Sequence, residues 1–274
     1  MELIFRQVDV FASAPFRGNP LAVVVGADEL SDAQMAQIAN WTNLSETTFL
    51  LRPVHPQADY RVRIFTPQRE LPFAGHPTLG SAYVWRSLGG KPKSNLMMQE
   101  CGVGLVAVRE QAGKLAFAAP PRRRVGPVAQ EELDAALAAL NLQPEDYLDA
   151  QWVDNGPGWM AIRLRSREDV LAIQPNWLMM KGQKIGIVGA CGQTADTQFE
   201  LRAFTGGEGE DPVTGSLNAS VAQWLIEAGL APQRYVASQG TALGRAGRVT
   251  VEQAGGEVWI GGDVIACIAG TISV

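Results

Sequence analysis

Cysteine and histidine are scarce, three and two in 274 residues. Cys101, Cys191 and Cys267 are scattered, odd in number and in no CxxC or histidine-linked spacing, so the chain reads as reduced, cytoplasmic and without a structural metal. It also lacks a basic excess. With 23 Lys and Arg against 28 Asp and Glu the formal charge is −5, which argues against a nucleic-acid partner and requires any anion site to be built locally. No apolar run approaches the length of a membrane span. Residues 1–10 carry Glu2, Arg6 and Asp9 and lack the apolar segment of a signal peptide. No GxxxxGK[ST] occurs and no GxGxxG follows a strand, so nucleotide binding has no motif to rest on.

What is present is an ordinary globular balance, 46% hydrophobic and 19% charged, in a chain long enough for one large domain or two of usual size. LIFRQVDVFA alternates as a strand and LAVVV (21–25) reads as a buried one. SDAQMAQIAN opens with Ser31 and Gln34 in capping-box spacing and carries Met35 and Ile38 on one face, which predicts a helix. TTFLL and RVRIF continue as strands, 77–88 as a helix, and NLMMQE, GLVAVRE and KLAFA as a strand-rich end, with CGVG (101–104) as a bend. Strands and helices mix without a regular βαβ beat, so the fold class is α+β. AAPPRRRVGPVA (118–129), rich in proline, glycine and arginine, reads as a solvated linker that divides the chain into residues 1–125 and 126–274. The C-terminal IACIAGTISV is a strand that could return to the first part.

The two parts resemble each other. YRVRIFT (60–66) aligns with FELRAFT (199–205) at an offset of 139, and LAVVV meets MAIRL (160–164) at the same offset, as Trp85 meets Trp224. Each part then continues through a glutamate-bearing loop and a glycine turn into a helix: RELPFAGHPTLG in one, GEDPVTGSLNAS in the other. A shift of one residue pairs Gly75 with Gly215 and His76 with Ser216. This is the pattern of a duplicated fold. Two copies commonly face each other across a pseudo-two-fold axis, and their helix N-termini would then converge on one cleft for a small acidic ligand.

Pro77 is a natural first helical residue, which would make His76, and by analogy Ser216, the capping residue. His76 reads either as such a cap, neutral beside the positive helix end, or as a catalytic or ligand-binding group. Glu46 in NLSETTF lies at a helix-to-strand junction. Partly desolvated there, it suits general acid/base work; the alternative is a surface glutamate. Asp211, before Pro212, aims its carboxylate off a loop end or merely forms an Asx turn, while Glu208 and Glu210 beside it read as solvated. His55 sits among loop signals and reads as exposed. In SQGTALGRAGRV (238–249) an exposed Gln-Gly turn precedes Arg245, which reads either as pairing with a substrate carboxylate or as a structural surface arginine. Cofactor-independent racemases with a duplicated cleft use one cysteine per half, but no cysteine lies near Gly75 or Gly215. Oxygen or imidazole groups must move any proton here.

Taken together, VDVFASAPFRGNPLAVV, NLSETTF, FTPQRELPFAGHPTLGSA, EDPVTGS and SQGTALGR, in this order over most of the chain, resemble the phenazine biosynthesis PhzF-like family, whose fold is shared with diaminopimelate epimerase. The resemblance implies two similar domains, each a mixed sheet wrapped around a central helix, with an active site between them and no cofactor or metal. It places the catalytic glutamate on Glu46, the accompanying His and Asp on His76 and Asp211, and the substrate-binding helix starts on Gly75 and on Gly215 with Ser216. It implies a cofactor-independent isomerase of a small, conjugated or cyclic carboxylic acid, working as a homodimer. The alternatives are a racemase or epimerase of an amino or hydroxy acid, and a small-acid-binding protein without turnover. The chain departs from the family pattern at the compact GGEGE before Asp211 and at Leu217 and Asn218, expected on the cleft wall, which bears on the substrate.

Overall fold

The alternating N-terminal stretch forms β1 (Glu2–Val10), and the apolar run after Gly18 forms β2 (Asn19–Val25), antiparallel to it. The capping box is present: the Ser31 hydroxyl accepts from the Gln34 N–H, the Gln34 side chain accepts from the Ser31 N–H, and α1 runs over Asp32–Thr42. Then follow β3 (Thr47–Leu51), β4 (Tyr60–Phe65), β5 (Glu70–Leu71), α2 (Gly75–Ser87), β6 (Met97–Cys101), β7 (Gly104–Gln111) and β8 (Lys114–Ala118). In the 101–104 bend Gly104 takes φ +100°, a value that a side chain would strain. This computed structural model describes residues 1–111, 113–207 and 209–274. They divide into two compact units, Met1–Ala118 with Gly261–Val274, and Ala119–Ile260.

In the second unit the elements are β9 (Arg124–Pro127), α3 (Gln130–Leu140), β10 (Tyr147–Asp154), β11 (Met160–Leu164), α4 (Arg167–Ala172), β12 (Lys184–Ala190), β13 (Phe199–Thr205), β14 (Gly209–Asp211), α5 (Gly215–Glu227), β15 (Arg234–Gln239), β16 (Gly247–Ala254) and β17 (Glu257–Gly262). The last strand, β18 (Val264–Ser273), belongs to the first unit and pairs antiparallel with β1 from Glu2↔Ser273 to Val10↔Val264. Residues 118–129 are therefore not a plain linker. They contain β9, which pairs with β10 as β18 pairs with β1. Its proline lies at the strand's end, where a missing N–H costs no ladder bond.

The pairing scheme is the same in both units. β2–β3 and β11–β12 are parallel with equal registers, Ala22↔Thr47 and Ala161↔Gly186. β4 and β13 each pair antiparallel with a short strand, β5 or β14, and parallel with a later one, β6 or β15. Both central helices have 13 residues and begin on the aligned glycines. Because the helices align at one residue more than the strands before them, Trp224 corresponds to Val84, and its match with Trp85 was coincidental. Val84 and Trp224 are buried, whereas Trp85 is half-exposed and stacks on Tyr60.

α2 is buried on nearly every side, as a helix enclosed by its sheet must be, and its small residues permit this. At Gly80 an added Cβ would lie 2.5 Å from Leu21 Cδ2 and 3.1 Å from Val8 and Val10 methyls. Gly80→Ala therefore destabilises the protein by about 1–3 kcal/mol in urea unfolding, although alanine is the better helix former by roughly 1 kcal/mol. A gain in stability would show that the helix has room to move. On the α1 side the core comprises Leu3, Val24, Met35, Ala39, Phe49 and Phe65. The second unit centres on Leu137, Leu140, Ile162, Ile185, Ile187 and Phe204. Among the described residues no helix is long and apolar enough to cross a membrane, and the three cysteines are free.

Candidate functional site

In the first unit, Asn43 at φ +53° ends α1, and three residues later Glu46 stands at the entry to β3. Thr42 and Thr47 Oγ1 atoms, 2.7 Å apart, tie the helix end to the strand start. This junction directs Glu46 inward: its side chain is 15% exposed, and its Oε2 lies 3.4 Å from Nε2 of His76. The structure thus brings together the two groups singled out in this half of the sequence.

His76 is not the cap expected from Pro77. The N-cap is Ala74, with no side-chain cap bond, so Gly75, His76 and Pro77 are the first three helical residues. Proline fits there because the N–H groups of the whole first turn lack intrahelical acceptors, not only that of the first residue. The Thr78 N–H to Ala74 O bond is the first along the helix, leaving the N–H groups of Gly75 and His76 pointing off its positive end. His76 packs at 3% exposure, and burial pushes its imidazole down to about 3 from the usual 6.5. It is neutral, as expected, but burial rather than the helix end is the cause. Its Nδ1 is 3.4 Å from Nδ2 of Asn19.

This burial links folding to pH. Between about 3 and 6.5 the unfolded chain binds a proton at His76 that the folded chain does not, so stability rises with pH across that window. The contribution is fully present above 6.5 and is lost as pH falls toward 3, at roughly 1.4 kcal/mol per pH unit. Urea titrations from pH 4 to 7 should give a shallower slope for His76→Gln than for the parent. Parallel slopes would show that the imidazole is charged or hydrated in the fold.

The second unit repeats the helix start without the histidine. Thr214 is the N-cap residue, again without a side-chain cap bond, and Gly215 and Ser216 are the first two helical residues, so Ser216 is not a cap either. The Ser216 hydroxyl accepts from the indole N–H of Trp159 at 3.0 Å, and the Ser216 carbonyl accepts from Nδ2 of Asn155 at 2.9 Å. An indole can only donate, so the Ser216 O–H remains a donor for a ligand.

Asp211 Oδ2 accepts from the Thr214 hydroxyl at 2.6 Å, a side-chain turn of three residues. Gln239 organises the whole loop. Its Oε1 accepts from Thr214 N and from Asn218 Nδ2, and its Nε2 donates to the Asp211 carbonyl and to Thr214 Oγ1, all within 2.8–3.0 Å. Gln239 is fully buried, contrary to the exposed turn read from SQGTALGR. Its counterpart Gln99 donates likewise to Thr78, whose hydroxyl donates to the Ala74 carbonyl as Asn218 Nδ2 donates to that of Thr214. Leu217 and Asn218 are not exposed on a wall: Leu217 is buried against Gly186, and Asn218 belongs to this network.

Glu210 is also buried rather than solvated; its carboxylate grips Arg202 at 2.9 and 2.8 Å. Arg63 and Glu70 form the same two-pronged pair in the first unit at 2.7 Å. Glu208 lies outside the described residues. His55 is exposed, and Arg245 is half-buried, its N–H donating to the Gly240 carbonyl. Asn19 and Gln99 carry no motif of their own in the sequence and Gln239 reads only as part of an exposed turn, although Asn19 stands in the GNP preceding a strand and the two glutamines fall 140 positions apart in repeat register.

A family model described as phenazine biosynthesis-like protein matches residues 8–270. The chain is 36% identical to antisense-enhancing sequence 1 of Schizosaccharomyces pombe over 97% of either protein. It is 34% identical to the trans-2,3-dihydro-3-hydroxyanthranilate isomerase of Pseudomonas aeruginosa, covering 88% of this chain and 87% of that one. A crystal structure of a PhzF-family phenazine biosynthesis protein from Enterococcus faecalis superposes with a TM-score of 0.82 at 26% identity over the whole of both chains.

Proposed function

The chain belongs to the phenazine biosynthesis-like family and is an isomerase, and we propose that it moves a proton on a small, conjugated or cyclic carboxylic acid with Glu46 as the acid/base group. The observation that carries this reading is the buried contact between Glu46 and a neutral imidazole, Oε2 to Nε2 3.4 Å. A carboxylate held there takes a proton from a C–H next to the substrate's conjugated system and returns it at a different carbon, so that the double bond moves and no electrons are gained or lost. His76 orients Glu46. The uncapped N–H groups at Gly75, and those at Gly215 together with the Ser216 hydroxyl, are donors suited to a substrate carboxylate and to the negative charge that spreads into it on deprotonation. Asp211, held by Thr214, is a second candidate carboxylate.

The substrate of the Pseudomonas isomerase, a cyclic unsaturated amino acid, belongs to this chemical class and heads the list of compounds to try. Incubation of small unsaturated and cyclic carboxylic acids with the enzyme in deuterated water, followed by NMR, tests the reading. Deuterium at a new carbon accompanied by a displaced double bond is the expected result. Inversion at a single labelled carbon would instead make the enzyme an epimerase, and binding without any label would remove the catalytic assignment.

A further inference from the structure

Within the first unit, the position of one proton follows from a residue that belongs to neither catalytic motif. Asn19 is the first residue of β2 and fully buried. It is held there by the turn before it: the Asp9 carboxylate, 2% exposed, accepts from the Arg17 N–H at 2.8 Å and from the Gly18 N–H at 3.0 and 3.1 Å. Gly18 cannot be exchanged for a larger residue, since a Cβ would stand 2.2 Å from the Val10 carbonyl oxygen. The backbone carrying Asn19 is therefore fixed on both sides, by this knot and by the Val10↔Asn19 pairing.

The amide nitrogen of Asn19 faces Nδ1 of His76 at 3.4 Å. An amide NH₂ only donates, so the ring nitrogen opposite it must be the acceptor. A neutral imidazole has one acceptor and one donor, and the proton is then on Nε2, the atom that faces Glu46 Oε2. We propose that Asn19 is a positioning residue that fixes the Nε2–H tautomer of His76, so that the ring N–H faces the Glu46 carboxylate and Glu46 is the only base of the pair. The inference rests on the proposed acid/base role of Glu46 and assigns the division of labour within it. A ring whose Nε2 already holds a proton cannot relieve Glu46 of one; it lowers the cost of the carboxylate and aims it.

The test is direct because the chain has only two histidines. Uniformly ¹⁵N-labelled full-length protein is observed by long-range ¹H–¹⁵N correlation at neutral pH, and His55→Gln, at an exposed loop, assigns the two rings. His76 should show a protonated Nε2 and a bare Nδ1. In Asn19→Asp the facing group becomes an acceptor, so the proton should transfer to Nδ1, with kcat lowered on the order of 10²-fold and KM changed little. A parent spectrum with the proton on Nδ1, or an equal mixture, overturns the proposal whether or not the variant folds. So does an Asn19→Asp protein whose tautomer is unchanged. The measurement needs no substrate: if the tautomer is as stated but Glu46 proves dispensable for exchange, the acid/base reading fails and the assignment of the proton stands.

Discussion

Glu46→Gln is expected to lower enzyme-dependent proton exchange by about 10³-fold while leaving the fold and ligand affinity nearly intact. Glutamine has the same shape, and its amide oxygen can still face His76 Nε2 across the 3.4 Å contact. What is lost is the basic oxygen. The exchange rate of a bound unsaturated acid in deuterated water, compared for parent and variant at equal saturation, isolates that loss from binding. Exchange within a few-fold of the parent would take Glu46 out of the reaction and leave Asp211 as the carboxylate to replace next.

The largest effect on stability is expected at Glu210→Ala, a loss of about 3–5 kcal/mol. Arg202 and Glu210 side chains are each 6% exposed, and the guanidinium also donates to the Val170 and Ile173 carbonyls at 3.2 and 2.7 Å. Removing the carboxylate strands a buried cation, which costs far more than the pair's net contribution. The corresponding change in the first unit, Glu70→Ala, should cost no more than about 1 kcal/mol. There the bond lengths are equally short, but Glu70 is 43% exposed and Arg63 retains Asp32, whose carboxyl it holds below the usual range. Urea unfolding of both variants gives the comparison. Equal losses would mean that burial is not what separates the two pairs, and a double variant, Arg202→Met with Glu210→Leu, should recover most of the deficit.

The contrast between these two pairs indicates which features could be read in advance. RIFTPQRE and RAFTGGEGE hold Arg and Glu in repeat register, yet nothing local marks one pair as exposed and the other as buried. A glutamate in a glycine-rich turn has the appearance of a solvated residue, whereas packing of Arg202 buries the Glu210 side chain. Gln239 follows the same logic: beside a glycine it resembles turn chemistry, but it is the buried hub that satisfies the Thr214 and Asn218 donors and the Asp211 carbonyl. Residues 118–129 look like a connector because proline and glycine dominate, whereas an edge position lets β9 tolerate them. Pro77 located the helix but not its first residue, since any site in the first turn spares the missing N–H.

The sequence by itself determined the alternation and helical spacing that set most elements, the capping box at Ser31, and the repeat at 139 and 140 positions that predicts two like units. It also singled out Glu46, His76 and Asp211 as candidate groups for chemistry. Only the tertiary structure decided which of them meet and in what protonation state. Residues 19, 46 and 76 are brought together by β1–β2 pairing, by the turn from α1 into β3, and by the packing of α2 on the sheet. Those contacts span tens of residues and follow from no local pattern. The neutrality of His76 arises from burial, a property of the assembled packing and not of the histidine or its neighbours in the chain.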